Sequence, residues 1–264
     1  MEFTDINARG VVLLGCGKMG SAMLAGWLDR GLSPDAVTVL DPNPSDWLKG
    51  TGVALNTDLP PDPAVALIAV KPQMMGEALP RLRALTTPLF ITVAAGTPIT
   101  AYEAAFGAHA RIVRAMPNTP AAIGRGITAI IGNATATAAD LDMAEGFLSA
   151  VGDVVRLETE DQMDAVTGLS GSGPAYVFHM IEAMTDAGVA QGLAPDLALQ
   201  LARATVAGAG ALAMTGEDPA QLRINVTSPN GTTQAGLEVL MPELPDLMAR
   251  TVRAATDRSR ELRA

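Results

Sequence analysis

Three glycines near the start of the chain are the residues whose spacing first suggests chemistry. They lie in Gly15-Cys16-Gly17-Lys18-Met19-Gly20, a G-x-G-x-x-G turn that follows an apolar run and opens a helical pattern. Each glycine has a physical reason to be there. Gly15 allows a tight turn, Gly17 lets the backbone approach a pyrophosphate, and Gly20 lets a helix lie close to a strand. Lys18 and Met19 lie within the turn, and the helix that follows it would face the phosphates with its free N–H groups and positive dipole end. Asp41 follows Gly20 by 21 residues, at the end of a second apolar run. A carboxylate there can accept hydrogen bonds from both ribose hydroxyls and would repel a 2′-phosphate. It favours NADH and leaves NADPH open. The alternative reading is that Asp41 only starts the turn Asp41-Pro42-Asn43-Pro44. Taken together, the motif points to a nicotinamide dinucleotide and hence to hydride transfer.

Such a site needs a sheet with helices behind it. Gly10–Leu14, Val37–Leu40, Ala64–Val70, Leu89–Ala94, Arg111–Arg114, Ile127–Ile131 and Asp153–Leu157 read as strands. The turn Gly96-Thr97-Pro98 follows the fourth of them. The third is apolar throughout, as a strand buried on both faces should be. Helices are expected at Ser21–Arg30, stopped by Gly31, and at Thr137–Ala150. Alternation of this kind implies a largely parallel sheet, an α/β Rossmann-type domain spanning 1–158.

Beyond residue 158 no strand pattern remains. Pro174–Ala187, Pro195–Met214 and a segment from about Leu244 to the chain end read as helices. Pro174 suits a first helical turn and Gly188 an end. The run Ala207-Gly208-Ala209-Gly210-Ala211 costs helix propensity, which close packing of another backbone would offset. Residues 159–264 are therefore expected to form an all-α domain that dimerises. A small helical bundle with a large apolar face often completes itself with a second copy.

Composition narrows the partners. The 264 residues are 48% apolar but only 3% aromatic, so the core must be built from aliphatic side chains. The formal net charge is -10 with no basic cluster, which argues against nucleic acid, since that partner demands clustered Lys and Arg. Cys16 is the single cysteine, and His109 and His179 lie far apart in sequence, so neither a disulfide framework nor a metal site is expected. The start, Met1–Arg9, is polar and acidic rather than a signal peptide. No apolar run approaches the ~18 residues of a membrane span. The chain reads as soluble and cytoplasmic.

Motifs along the whole chain resemble one family. They are the glycine turn, Val70-Lys71-Pro72-Gln73, and Arg114-Ala115-Met116-Pro117-Asn118-Thr119-Pro120. Gly168-Leu169-Ser170-Gly171-Ser172-Gly173-Pro174-Ala175-Tyr176, Glu182-Ala183, Asp186-Ala187-Gly188 and Ser228-Pro229-Asn230-Gly231-Thr232-Thr233-Gln234-Ala235-Gly236-Leu237 follow in order. In this order and spacing the chain resembles the pyrroline-5-carboxylate reductases, oxidoreductases of proline biosynthesis. The resemblance implies a Rossmann domain, a helical domain that interleaves with its twin in a homodimer, and reduction of 1-pyrroline-5-carboxylate by NAD(P)H. It implies that Asn56, Ala69, Val70, Lys71 and Pro72 line the cofactor, with Met116, Pro117 and Asn118 near the nicotinamide. It implies that Ser228, Asn230, Gly231, Thr232 and Thr233 hold the substrate. Asn230 departs from the family, which usually has glycine there. Asn tolerates left-handed backbone, so the loop shape is expected to survive.

The chemistry asked of these residues is modest. A protonated imine is already electrophilic, so the protein must mainly orient it and bind its carboxylate. Thr232-Thr233 stand where a helix would begin, and N–H groups there with the Ser228 and Thr233 hydroxyls make an anion site. Thr233 is the catalytic candidate, hydrogen-bonded to the ring nitrogen; the alternative for Ser228 and Thr233 is helix capping. Lys71 follows a buried strand and reads as a cofactor-side or structural residue. β-Hydroxyacid dehydrogenases and ketopantoate reductases share the architecture, but as families they use a lysine in or near the helical region. The lysines here are Lys18, Lys49 and Lys71, none later. Alcohol–carbonyl chemistry would lack its acid–base group, whereas iminium reduction does not require one. A dinucleotide-binding protein without turnover would have no use for the loop at 228–233.

Overall fold

The computed structural model describes residues 4–263. Met1–Phe3 of the polar start and Ala264 lie outside the described residues, and Thr4–Arg9 form a short helix, α1. The strands are β1 (Val11–Leu14), β2 (Val37–Leu40), β3 (Ala54–Leu55), β4 (Val65–Ile68), β5 (Leu89–Thr92), β6 (Ile112–Met116), β7 (Gly126–Gly132) and β8 (Gly152–Arg156). The helices after α1 are α2 (Lys18–Asp29), α3 (Asp46–Lys49), α4 (Met75–Ala78), α5 (Ile99–Phe106), α6 (Ala138–Leu148), α7 (Gln162–Val166), α8 (Gly173–Ala190), α9 (Pro195–Ala213), α10 (Pro219–Asn225) and α11 (Thr232–Glu261).

The strands form one sheet in the order β3-β2-β1-β4-β5-β6-β7-β8. All neighbours are parallel except β6 and β7, which run antiparallel. The largely parallel expectation therefore holds, with one reversal. Successive strand residues serve opposite layers. Val11 and Leu13 pack with Met23, Leu24 and Trp27 on one face. Val12 and Leu14 pack with Ala66, Ile68 and Phe90 on the other. Because both faces are covered, β1, β2 and β4 are apolar or nearly so throughout, which is why they could be read as strands. Within this core Trp27 stacks on Phe147, with ring centroids 3.9 Å apart. The indole N–H donates to the Phe147 carbonyl at 2.9 Å, so the buried polar tip is satisfied. The order reverses between β1 and β4, and in such sheets ligands lie beyond the carboxyl ends of the strands at that reversal.

The chain divides into two compact units. One runs up to Gly171 and takes in the chain end from Ala255; the other is Ser172–Ala254. This division comes after the expected 158/159 boundary because α7 and the π-helical turn Thr167–Gly171 pack with the first unit. In α7, Asp164 is fully buried, accepts from the Ser259 hydroxyl at 2.8 Å and pairs with Arg263. A buried carboxylate needs such partners, and here they fix the end of α11.

The second unit is helical, as expected, but its last helix differs. The sequence pattern places a helix start at Thr232-Thr233 and a separate helix from about Leu244. Instead α11 is continuous for 30 residues with Pro242 and Pro245 inside it. Each proline removes one ladder donor. Both prolines are exposed, so water can reach the freed carbonyls and the helix continues. Among the described residues no helix is long and apolar enough to cross a membrane.

Candidate active site

The glycine turn joins β1 to α2, and each glycine is constrained differently. Gly15 has φ +88°, and a Cβ on it would stand 2.7 Å from Val70 Cγ1 and 2.9 Å from the Ala69 carbonyl oxygen. A Cβ on Gly20 would collide with the Gly15 carbonyl oxygen. Gly17 is the opposite case, with nothing within 4 Å of its Cβ position. It is the N-cap of α2, and no side chain caps that helix. Open space beside an uncapped helix start is what a pyrophosphate requires, so these residues fit a dinucleotide. The helix begins at Lys18, earlier than the expected Ser21, because it must start at the turn itself.

Asp41 stands beside the turn. Its Oδ2 accepts the Cys16 N–H at 2.7 Å and its Oδ1 accepts the Asn43 N–H at 2.8 Å. The second bond is the turn-starting role; the first ties the carboxylate to the glycine loop. Two bonds leave lone pairs on the carboxylate free to accept more. Asn56, with φ +52°, grips the Asp41 backbone: its Oδ1 accepts the Asp41 N–H at 3.1 Å and its Nδ2 donates to the Asp41 carbonyl at 2.7 Å. Asn56 thus positions Asp41. Burial and the neighbouring Asp41 carboxylate push the Cys16 thiol up to about 11. It is a neutral thiol at neutral pH, not a nucleophile.

Ala69 and Val70 follow β4 at its carboxyl end, against the glycine turn. Lys71 is exposed at the start of the 3₁₀ turn Pro72–Met74. Between these strand ends and that turn lies a cavity of about 160 Å³, walled by Leu14, Leu40, Pro42, Val70 and Met74, with Glu77 and Arg81 also facing it. The sequence did not signal this slot, because its walls come from four separate segments.

Met116 ends β6 and leads into Pro117 and Asn118. Asn118 is held by its side chain, whose Oδ1 accepts the Ile127 N–H at 3.0 Å and whose Nδ2 lies 3.4 Å from the Ser170 carbonyl and hydroxyl oxygens. Ser170 belongs to the π-helical turn Thr167–Gly171. A Cβ on Gly171 would stand 2.6 Å from the Met116 methyl, so this turn packs directly on the segment. π-Turns recur at functional sites. Sequence reading noted the Gly/Ser run but gave this support no role. Two residues before Met116, Arg114 is almost fully buried and pairs at 2.6 Å with Glu160, whose Oε1 also accepts the Ile99 N–H at 2.9 Å.

In the helical unit, residues 228–231 form a turn closed by the Gly231 N–H donating to the Ser228 carbonyl at 3.0 Å. Asn230 has φ +57°, the left-handed third position that a type II turn demands after proline. The loop shape expected despite Asn230 is therefore present. The Asn230 N–H donates to Gln234 Oε1 at 2.8 Å, which fixes the turn to the first turn of α11. Ser228, Thr232 and Thr233 are exposed, and their hydroxyls make no hydrogen bond among the described residues. The capping alternative for Ser228 and Thr233 has no bond to support it.

A Rossmann sheet with an open glycine turn, followed by a helical unit, defines an NAD(P)H-dependent oxidoreductase. Two family models match: pyrroline-5-carboxylate reductase dimerisation over residues 160–262, and NADP oxidoreductase coenzyme F420-dependent over residues 10–96. The chain is 37% identical to the pyrroline-5-carboxylate reductase of Pseudomonas aeruginosa, with 96% of each chain covered. It is 41% identical to that of Synechocystis, covering 95% of this chain and 97% of the relative. The solved structure of the Coxiella burnetii enzyme superposes with a TM-score of 0.90 at 33% identity, covering 97% of this chain and 99% of that one. A Plasmodium falciparum pyrroline carboxylate reductase with NADP bound gives 0.85 at 27% identity, covering 98% and 100%. The chain belongs to the pyrroline-5-carboxylate reductase family.

Proposed function

We propose that this chain reduces 1-pyrroline-5-carboxylate to L-proline as a homodimer, with NADH the favoured donor, in the cytoplasm. The observation that carries the substrate assignment is the loop at 228–233, a fixed turn that leaves three hydroxyls uncommitted beside a helix start. Those hydroxyls and the first N–H groups of α11 suit a carboxylate. Thr233 accepts the iminium N–H and then donates to the amine as the ring nitrogen gains its lone pair. The imine carbon gains the hydride, the C=N π pair becomes the nitrogen lone pair, and no further acid is needed.

Toward the cofactor, Gly15, Gly17, Lys18, Met19 and Gly20 hold the pyrophosphate and Asp41 the ribose hydroxyls. Asn56, Ala69, Val70, Lys71 and Pro72 line the same site, and Met116, Pro117 and Asn118 face the nicotinamide. When bound, NAD(P)H supplies the hydride. The preference for NADH rests on the Asp41 carboxylate, which is fixed by Cys16 and Asn43 where a 2′-phosphate would bring like charge. Functionally, 1–158 is the cofactor domain and 159–264 the dimerisation and substrate domain. The test is the oxidation of NADH and of NADPH with 1-pyrroline-5-carboxylate, beside ketopantoate and 3-hydroxyacid controls. Turnover of the imine alone, with a higher kcat/KM for NADH, is expected. No imine turnover with either donor overturns the function, and a higher value for NADPH overturns the preference.

A further inference from the structure

The slot beside Asp41 has one chemical feature that the proposed reading leaves unused. Its walls are apolar: Leu14 and Leu40 from the ends of β1 and β2, with Pro42, Val70 and Met74. Arg81 also lines it. It lies in the 3₁₀ turn Leu79–Leu82, is exposed, and makes no ion pair or side-chain hydrogen bond among the described residues. Glu77, one turn earlier and in the same lining, does not pair with it, although the i,i+4 spacing would allow that. Other arginines of the sheet are committed, Arg111 to Asp140 and Arg114 to Glu160. A planar cation left unpaired at a narrow apolar slot has a natural use, because guanidinium stacks on aromatic faces and is weakly hydrated.

We propose that Arg81 completes the base-binding slot by lying against the face of the adenine, opposite the wall of Leu14, Leu40 and Val70. The inference rests on the dinucleotide reading of the glycine turn, and it assigns Arg81 to the base and not to the 2′-phosphate. Stacking on a base depends on the planar fork, so a lysine cannot replace it.

The experiment measures dissociation constants by fluorescence for NADH, NADPH and reduced nicotinamide mononucleotide, which lacks the adenosine half. It compares the full-length wild type with Arg81→Ala and Arg81→Lys. Both variants are expected to weaken NADH and NADPH alike, by about 2- to 30-fold, the range from an exposed to a desolvated cation–π contact. Binding of the mononucleotide should not change. Three results overturn the proposal: unchanged NADH affinity in Arg81→Ala, full rescue by Arg81→Lys, or a loss confined to NADPH. If wild-type protein binds neither dinucleotide, the reading of the glycine turn falls and this inference falls with it.

Discussion

The two compact units solve the burial problem in different ways. In the first, β1, β2, β4 and β5 are buried along their whole length and both faces of the sheet are covered. In the second, Ala198 and Ala202 of α9 are the only fully buried residues among those described. Phe178, Met180, Leu197, Leu201, Leu240 and Met241 are all exposed. Burying a leucine is worth roughly 1.5–3 kcal/mol, so a helical unit that leaves this many uncovered forgoes most of its stabilisation. The first unit owns its core. The second presents one, which is the physical content of a dimerisation domain.

The largest effect should come from attacking that presented face. Leu197 and Leu201 are 44% and 49% exposed and stand one turn apart on α9. Leu197→Asp with Leu201→Asp would place two charges in an apolar interface. The expected result is a monomer by sedimentation, with a lower melting temperature and loss of turnover. Trp47→Glu, at a position 46% exposed on α3 of the first unit, should leave assembly unchanged. Equal assembly of all three proteins would break the contrast between the units.

Within the first unit, the glycine turn separates fold from ligand. Gly20→Ala forces a methyl onto the Gly15 carbonyl and should cost about 1–3 kcal/mol of stability, read from denaturant unfolding. Gly17→Ala meets open space, so stability should stay within about 0.5 kcal/mol. NADH affinity should nevertheless fall, because the methyl occupies the path of the pyrophosphate. If Gly17→Ala unfolds the protein and Gly20→Ala does not, the assigned roles are reversed.

How much could be read from sequence follows the same division. Parallel strands buried on both faces are uninterrupted apolar runs, so β1, β2, β4 and β5 were legible, and so was the glycine turn between β1 and α2. β3 has only two residues, too few for any pattern. α10 is capped by Asp218, whose Oδ1 accepts from Ala220 and Gln221, a capping signal that was present but not read. α11 passes through two prolines that locally argue for a break. The loop at 228–233 was legible as a motif; the bond from Asn230 to Gln234 that holds it was not. The Arg81 slot was invisible, because spacing along the chain carries no trace of walls drawn from four segments.

In the second unit, Thr233 tests chemistry without fold. Its hydroxyl is exposed and makes no bond within the chain. Thr233→Ala should leave the melting temperature unchanged while kcat/KM for the imine falls. A hydrogen bond to a charged group is worth about 1.5–3 kcal/mol, so the fall should be roughly 10- to 150-fold. Unchanged kcat/KM would remove Thr233 from the reaction.

The smallest effect belongs to Cys16, and it reports on how dry the glycine turn is. The native thiol is pushed from 9.0 to about 11, first by burial and then by the Asp41 carboxylate. Between those values the unfolded chain loses this proton while the folded chain keeps it. The unfolded state then binds fewer protons, so stability falls as pH rises through that window and is unaffected by this group below it. Cys16→Ser removes the ionising group and should flatten the dependence of the urea midpoint on pH above 9.0. Alkylation by iodoacetamide should agree: in the folded protein its rate should still climb toward about 11, while in urea it levels off near the ordinary thiol value. Identical profiles in both states would mean that water reaches the thiol freely. The first unit would then be open at the glycine turn.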